Sequence, residues 1–222
     1  MRSVVAGVPV PVGRPVWRRR FLSVAAASLL ALSLSGCDLQ SINPVAQNEA
    51  RFNGVDITGA EYARALSLPD GTGRVRSLEE FRGKVVIVLF GFTQCPDICP
   101  TSMAEVSEVR KRLGPSGENV QGVFVSIDPE RDTAEVVAEY VRSMDPSFVG
   151  LRGSVDQVTQ AAKEFKVFFQ KVPSQDGKSY TMDHTAGAYV FDRDGRVRLF
   201  VRYGMGLDAL TADIRRLLEE KA

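Results

Sequence analysis

Apolar residues follow two patterns along the chain. Continuous apolar runs, such as residues 85–90, have strand length and suit strands that are buried on both faces. Apolar residues spaced three or four positions apart, as in residues 101–113, are typical of helices that bury one face. These patterns predict strands over residues 85–90, 120–127, 167–172, 186–191 and 197–203, and helices over residues 101–113, 154–165 and 207–217, with a further helix opening at Asp132.

Capping and turn residues separate these elements. Asp132 with Glu135, and Ser154 with Gln157, resemble capping boxes at helix starts, and residues 192–195 have the composition of a hairpin turn. Strands that alternate with helices and are followed by a hairpin and a last helix predict an α/β fold. This order is that of thioredoxin-like proteins, with a mixed central sheet flanked by helices. The helix that opens at Asp132 is expected to bury Val136, Val137, Tyr140 and Val141.

The N-terminal segment has the features of an export signal. Residues 1–36 contain five Arg and no acidic residue, and an apolar run over residues 21–34 is shorter than the roughly 20 residues of a membrane-spanning helix. The run ends in Leu-Ser-Gly-Cys, which resembles a bacterial lipobox whose cysteine, Cys37, receives the lipid. The sequence therefore predicts an export signal with a lipobox over residues 1–36 and a tether over residues 37–50. The folded domain is predicted over residues 51–222.

Both interpretations of this segment place the domain at a membrane. If the signal is cleaved, Cys37 carries a lipid anchor, and if it is not, the apolar run itself is the anchor. We therefore expect the protein at the cell membrane, with its domain on the periplasmic or extracytoplasmic side. The sequence leaves the export route open between the general secretory and the twin-arginine pathways.

Composition and charge limit the chemistry of the chain. The 222 residues include 28 Lys and Arg against 27 Asp and Glu, a formal net charge of +1, which lacks the basic excess of a nucleic-acid-binding protein. No nucleic-acid partner is predicted. The chain has only three Cys and one His. With Cys37 assigned to lipid attachment, Cys95 and Cys99 remain as one pair in a compartment where disulfides persist.

The two cysteines lie between a predicted strand and a predicted helix. Three residues separate Cys95 from Cys99, and the prolines that follow each cysteine, Pro96 and Pro100, make the loop tight, so both sulfur atoms can approach one metal ion or form a disulfide. Pro100 suits the first turn of a helix, which places Cys99 at or beside the N-cap, where the helix dipole favours a thiolate. The alternative is a pair of buried cysteines that are neighbours by chance.

His184 is the single histidine of the chain, and it precedes the predicted strand over residues 186–191. A lone histidine is more often structural than a ligand. In a thioredoxin-like arrangement, however, its loop lies beside the cysteine loop, and Asp183 either orients the imidazole ring or faces solvent. Two thiolates and an imidazole suit Cu(I), whereas zinc or Cu(II) needs a fourth ligand, so copper is the preferred metal.

Three segments of the chain resemble the signature blocks of the SCO/SenC family. They are residues 91–100 (GFTQCPDICP), residues 126–133 (SIDPERDT) and residues 183–185 (DHT), and the resemblance extends over about residues 52–220. Members of this family are membrane-tethered, thioredoxin-fold copper proteins that assist the assembly of cytochrome c oxidase. The resemblance implies that Cys95, Cys99 and His184 are the metal ligands. It also implies a supporting role for Asp128 near the site, although its charged loop equally suits a solvated turn.

This resemblance leads to a metallochaperone as the first functional hypothesis. Such a protein passes copper to the binuclear copper site of an oxidase subunit, and another periplasmic copper carrier is a possible second partner. The alternative is an enzyme, a thiol–disulfide oxidoreductase in which Cys95 and Cys99 are catalytic and keep the oxidase cysteines reduced. A peroxiredoxin-like peroxidase is a third class. His184 separates the first two hypotheses, because a reductase does not need it and a three-ligand copper site does.

Overall fold

The computed structural model describes residues 51–220. Cys37, the predicted export signal and the predicted tether therefore lie outside the described residues. Within residues 51–220, no helix is both long and apolar enough to cross a membrane. The strands are β1 (Val55–Asp56), β2 (Ser67–Pro69), β3 (Val75–Ser77), β4 (Val85–Gly91), β5 (Val120–Ser126), β6 (Val149–Leu151), β7 (Phe169–Pro173), β8 (Tyr180–His184), β9 (Gly187–Phe191) and β10 (Val197–Arg202). The α-helices are α1 (Ile98–Arg112), α2 (Ala134–Met144), α3 (Val155–Glu164) and α4 (Leu207–Glu219), and 3₁₀ turns lie at Leu78–Phe81 and Gly114–Asn119.

Six strands form one mixed sheet in the order β1-β10-β9-β4-β5-β6. Strand β4 pairs in parallel with β5, which pairs in parallel with β6, whereas β9 is antiparallel to β4 and to β10. Every residue of β4 and of β5 is buried, as expected of central parallel strands covered on both faces. The predicted α/β fold with a mixed central sheet and flanking helices is confirmed.

Helix α2 begins one residue later than the sequence pattern predicts. Its N-cap is Thr133, whose hydroxyl accepts a hydrogen bond from the Val136 N–H. Asp132 is not the cap, because its carboxylate is buried and accepts hydrogen bonds from Thr93 and Ser126. Val136, expected to be buried, is exposed, whereas Val137 and Val141 are buried as predicted. The capping box of α3 at Ser154 is confirmed.

Strands β7 and β8 form a separate two-stranded sheet, referred to below as the ribbon. The sequence predicts β7 approximately but misses β8, whose five residues (YTMDH) include only one that is fully buried, Met182. Its weak alternation of polar and apolar residues explains the omission. His184 is the last residue of β8, so it lies at the end of a strand rather than in a free loop.

Candidate metal centre

Residues 92–97, which join β4 to α1 and include Cys95, are called the cysteine loop below. This loop lies at the edge of the sheet where parallel strands β4 and β5 end. Gly91 closes β4, and the loop then leads into α1, whose N-cap is Asp97. Cys99 is the second residue of α1 and Pro100 the third, so Pro100 occupies the first turn as predicted and Cys99 lies one position further along than expected. A Cβ atom on Gly91 would stand 2.7 Å from Cys99 Sγ. Glycine at this position therefore allows the sulfur to approach the end of β4.

The two sulfur atoms have different surroundings. Cys99 is 4% exposed, whereas Cys95 is partly exposed. Both are free thiols, and Cys95 Sγ accepts a hydrogen bond from the Cys99 N–H at 3.5 Å. Burial raises the pKa of the Cys99 thiol well above its usual value. Loss of hydration at Cys99 thus opposes the thiolate that the start of the helix was expected to favour.

The His184 imidazole ring faces the buried sulfur. Its Nε2 atom lies 3.8 Å from Cys99 Sγ, and its Nδ1 atom lies 3.0 Å from the carbonyl oxygen of Thr185. A carbonyl only accepts, so Nδ1 carries the proton and donates it, which leaves the lone pair of Nε2 directed at the sulfur. Burial lowers the pKa of His184 although Thr185 and Asp183 oppose the shift. The neutral ring with a free Nε2 is the form that binds metals.

The arrangement of Cys99 and His184 fits a shared soft metal ion. Bonds of about 2.3 Å to sulfur and about 2.1 Å to nitrogen, at roughly 120° around one ion, place the two donor atoms about 3.8 Å apart. Within residues 51–220, no three His, Cys, Asp or Glu side chains already form a complete ligand group. Cys95, which is partly exposed beside Cys99, is the third candidate donor.

Asp183 does not orient the imidazole ring through a hydrogen bond. Its side chain is exposed to solvent, and the carbonyl of Thr185 occupies the position at Nδ1 that the sequence analysis offered to Asp183. The influence of Asp183 on His184 is limited to its negative charge. Of the two sequence interpretations, the structure agrees with the solvent-facing carboxylate.

Asp128 is buried beside the ribbon rather than in a solvated turn. It is 1% exposed, and it accepts hydrogen bonds from the Tyr180 hydroxyl at 2.9 Å and from Arg131 Nε at 2.5 Å. Burial and the adjacent Asp128 carboxylate raise the pKa of Tyr180 to about 12. Asp128 thus contacts the strand that carries His184 but neither the ring nor the cysteines.

Sequence reasoning missed the role of Asp132. Its fully buried carboxylate accepts hydrogen bonds from the backbone N–H and the hydroxyl of Thr93, at 3.1 and 2.6 Å, and from the Ser126 hydroxyl at 2.6 Å. Thr93 belongs to the cysteine loop and Ser126 to the end of β5. Asp132 therefore fixes the loop to the sheet. The sequence motif marked this residue, but the capping pattern gave it a different role.

A second missed feature is a pair of unpartnered polar atoms. Among residues 51–220, only Arg131 Nη2 and the Tyr140 hydroxyl are buried side-chain polar atoms without a hydrogen-bond partner. The Tyr140 ring packs on Phe124, with centroids 5.1 Å apart, and burial and the nearby Cys99 raise the Tyr140 pKa. Nothing in the sequence spacing indicates such an orphaned group.

Comparison with known proteins yields a family and solved structures. A family model described as SCO1/SenC matches residues 55–219. The mitochondrial SCO2 homolog of Bos taurus is 36% identical over 153 residues, which cover 68% of this chain and 58% of the bovine protein. Copper-bound ScoI from Bradyrhizobium japonicum is 38% identical with a TM-score of 0.62, covering 69% of this chain and 98% of ScoI. Apo Sco1 from Thermus thermophilus is 38% identical with a TM-score of 0.67, covering 75% and 97%. The chain thus spans little more than half the length of the bovine protein.

Proposed function

Because the chain belongs to the SCO1/SenC family, we propose that it is a membrane-tethered metallochaperone that binds copper through Cys95, Cys99 and His184. Its client in this proposal is the binuclear copper site of a cytochrome c oxidase subunit. The observation that carries the proposal is the distance of 3.8 Å between Cys99 Sγ and His184 Nε2, which joins residues 85 positions apart in the sequence. The copper in the related ScoI structure supports the choice of metal.

The donor set favours copper as a cargo. Thiolate sulfur and neutral imidazole are ligands that Cu(I) prefers, and three donors leave the ion accessible to a further ligand. Copper replaces the proton of the buried Cys99 thiol, so binding releases protons. Cys95, which is partly exposed, is the ligand that an incoming client thiolate reaches first. Exchange of that ligand transfers the ion without release into solution.

A copper titration tests the proposed ligands. We would use the reduced full-length protein with Cys37→Ser, in which Cys95 and Cys99 are the only thiols. We expect one Cu(I) per chain, with two sulfur neighbours and one nitrogen neighbour by X-ray absorption. His184→Ala should lose the nitrogen and weaken copper binding by about tenfold or more. Asp183→Asn, a neighbouring exposed non-ligand, is the matched control and should change affinity less than about twofold.

Two results of the titration would contradict the proposed ligands. If His184→Ala retains one copper per chain with unchanged affinity and an unchanged absorption spectrum, the three-ligand proposal is wrong. If Asp183→Asn weakens binding as strongly as His184→Ala, the effect reflects the β8 segment rather than the imidazole.

A thiol–disulfide oxidoreductase remains the second candidate. The observation that favours it is the hydrogen bond from the Cys99 amide, in the first turn of α1, to the sulfur of Cys95, since helix N-termini commonly hold nucleophilic sulfurs. In this function, the client disulfide is reduced to two thiols while Cys95 and Cys99 are oxidised to a disulfide. Copper-free turnover of a disulfide substrate that is equal in His184→Ala and the parent would support it. Absence of turnover in the parent would refute it.

A further inference from the structure

The central sheet sets the position of His184 only in part, through the two residues that join it to Gly187 at the start of β9. His184 ends strand β8, and β8 pairs only with β7, outside the six-stranded sheet. The cysteine loop, by contrast, follows a central strand of that sheet directly. The register of β9 against β4 fixes the chain at Gly187 but not the orientation of the ribbon, so it does not by itself determine the distance from Cys99 to His184. Other contacts must hold the ribbon against the cysteine loop.

One side chain contacts both segments. Nη1 of Arg131 donates hydrogen bonds to the backbone carbonyl of Tyr180 at 2.7 Å and to Oε1 of Gln94 at 3.2 Å. Tyr180 begins the strand that ends at His184, and Gln94 directly precedes Cys95. The guanidinium also stacks on the Tyr180 ring, 3.7 Å from its centroid. Arg131 thus links the cysteine loop to the ribbon.

Arg131 is itself fixed to the main sheet. Its Nε donates to the buried Asp128 carboxylate, which lies two residues beyond the end of β5. The other oxygen of Asp128 accepts from the Tyr180 hydroxyl at 2.9 Å. The ribbon is therefore attached twice, through the carbonyl and through the hydroxyl of one tyrosine. A second ion pair, between Lys171 of β7 and Glu130, joins the same loop to the ribbon.

The geometry requires arginine rather than any cation. A planar guanidinium can donate hydrogen bonds to three different acceptors while its face stacks on an aromatic ring. The ammonium group of a lysine carries the same charge but lacks this planar set of donors. The remaining atom, Nη2, is buried without a partner. An unpartnered buried donor lowers the stability of the folded protein. The stability of this loop alone therefore does not account for an arginine here.

We propose that Arg131 is a positioning residue that holds the ribbon against the cysteine loop and thereby sets the distance between His184 and Cys99. Its effect on copper rests on the proposed function. Its effect on the imidazole does not, because every contact of Arg131 is with the protein's own residues. This separation allows two independent measurements.

The first measurement needs no copper. His184 is the only histidine in the chain, so the imidazole region of a ¹H–¹⁵N spectrum of the untagged apoprotein reports on a single ring. In Arg131→Lys, we expect the ring signals, that of Nε2 above all, to shift, because Nε2 moves away from Cys99 Sγ as the ribbon moves from the loop. Unchanged ring signals in Arg131→Lys would overturn the proposal.

Arg110→Lys is the matched control. Arg110 also binds a backbone carbonyl (Val120, 2.8 Å), a carboxylate (Asp145, 3.4 Å) and an aromatic ring (Phe148), and its side chain is 16% exposed against 19% for Arg131. It lies eleven residues along α1 from Cys99, roughly 16 Å along the helix axis. Arg110→Lys should leave the ring signals of His184 unchanged. A shift as large as that in Arg131→Lys would show a general loss of packing and would overturn the proposal.

The second measurement uses Cu(I) in the Cys37→Ser background. Arg131→Lys should weaken copper binding about tenfold, and the double variant Arg131→Lys/His184→Ala should bind no more weakly than His184→Ala, because both changes remove the same nitrogen ligand. Additive losses would overturn the positioning role. A parent protein that binds no copper would refute the proposed function but not the positioning role, which the ring signals test separately.

A second variant covers the case in which Arg131→Lys does not fold. Tyr180→Phe keeps the ring under the guanidinium and removes only the hydroxyl that binds Asp128. We expect its His184 signals to shift in the same direction as in Arg131→Lys, by a smaller amount. Unchanged signals in a folded Tyr180→Phe protein would overturn the proposal.

Discussion

Tyr140 and Tyr189, whose hydroxyl groups are both buried, differ in what those groups contact. The Tyr189 hydroxyl donates to the Phe165 carbonyl at 2.5 Å, whereas the Tyr140 hydroxyl has no partner among the described residues. Tyr189→Phe should lower the free energy of unfolding by about 1–2 kcal/mol, because it leaves a buried carbonyl unpaired. Tyr140→Phe should raise it by about 1 kcal/mol, because it removes an unpaired buried hydroxyl. Urea unfolding followed by circular dichroism measures both.

Each tyrosine variant is the control for the other, because both changes remove a single buried hydroxyl oxygen and leave the ring in place. Destabilisation of Tyr140→Phe by as much as Tyr189→Phe would show that the Tyr140 hydroxyl has a partner in solution. The nearest chemical candidates are the groups that raise the Tyr140 pKa after burial, namely Cys99, Cys95 and Asp132.

Sequence reasoning identifies residues by chemistry more readily than by contact. Cys95, Cys99 and His184 are prominent because the chain has few soft donors and because their flanking motifs are familiar. The function of Asp132 depends on Thr93, 39 residues away, and no spacing rule encodes that hydrogen bond. The same holds for Arg131, whose contact with Tyr180 spans 49 residues.

At the scale of elements, α3 shows how local sequence determines a helix start. Ser154 Oγ accepts from the Gln157 N–H at 3.2 Å, and Gln157 Oε1 accepts from the Ser154 N–H at 2.8 Å. Ser154→Ala should lower the free energy of unfolding by about 1 kcal/mol, because it leaves a helix N–H unpaired. Thermal unfolding monitored by circular dichroism measures the loss.

Thr159→Ala is the control for the cap. Thr159 lies inside the same helix, is exposed, and its hydroxyl donates to the Val155 carbonyl at 2.8 Å. Alanine has the higher helix propensity, so this change should alter stability by no more than about 0.5 kcal/mol. Equal losses in the two variants would refute a specific capping contribution.

Elements with strong periodicity are predicted well, and the ribbon is not. Strand β4 is a continuous apolar run of strand length and β5 is rich in β-branched and aromatic residues, and both patterns favour strands buried on both faces. Strand β8 is largely polar and is stabilised by pairing with β7 and by side chains from the loop after β5. Those interactions are tertiary, so no pattern within residues 180–184 reveals them.

At the scale of the whole molecule, the site depends on contact between the central sheet and the ribbon. Strand β4 leads into the loop that carries Cys95 and then into α1, which carries Cys99, and the ribbon supplies the histidine. Sequence order predicts that these segments share one edge of the fold. It does not predict the contacts that set their separation, because these run from side chain to backbone across three segments of the chain.

Acid stability provides a prediction at this scale. Asp145 joins the end of α2 to α1, accepting from the Ser147 N–H at 2.9 Å and lying 3.4 Å from Arg110 Nε. Burial opposes ionisation, but the Ser147 hydrogen bonds and the charges of Arg110 and Lys111 outweigh it and hold the Asp145 pKa below its ordinary value. The unfolded chain thus binds a proton at a higher pH than the folded protein. Stability from this carboxylate is complete above the ordinary aspartate pKa of about 4 and is lost as the pH falls towards the folded value.

Asp145→Asn should therefore be less stable than the parent at about pH 7, and the difference should shrink at about pH 3, where the parent carboxylate is becoming protonated. Urea unfolding at both pH values measures the two differences. Asp156→Asn, at an exposed position in the first turn of α3, is the control and should show a smaller dependence on pH. If the gap between Asp145→Asn and the parent is the same at both pH values, the carboxylate charge contributes nothing. Arg110 would then be held by its packing against Phe148 and by its hydrogen bond to the Val120 carbonyl.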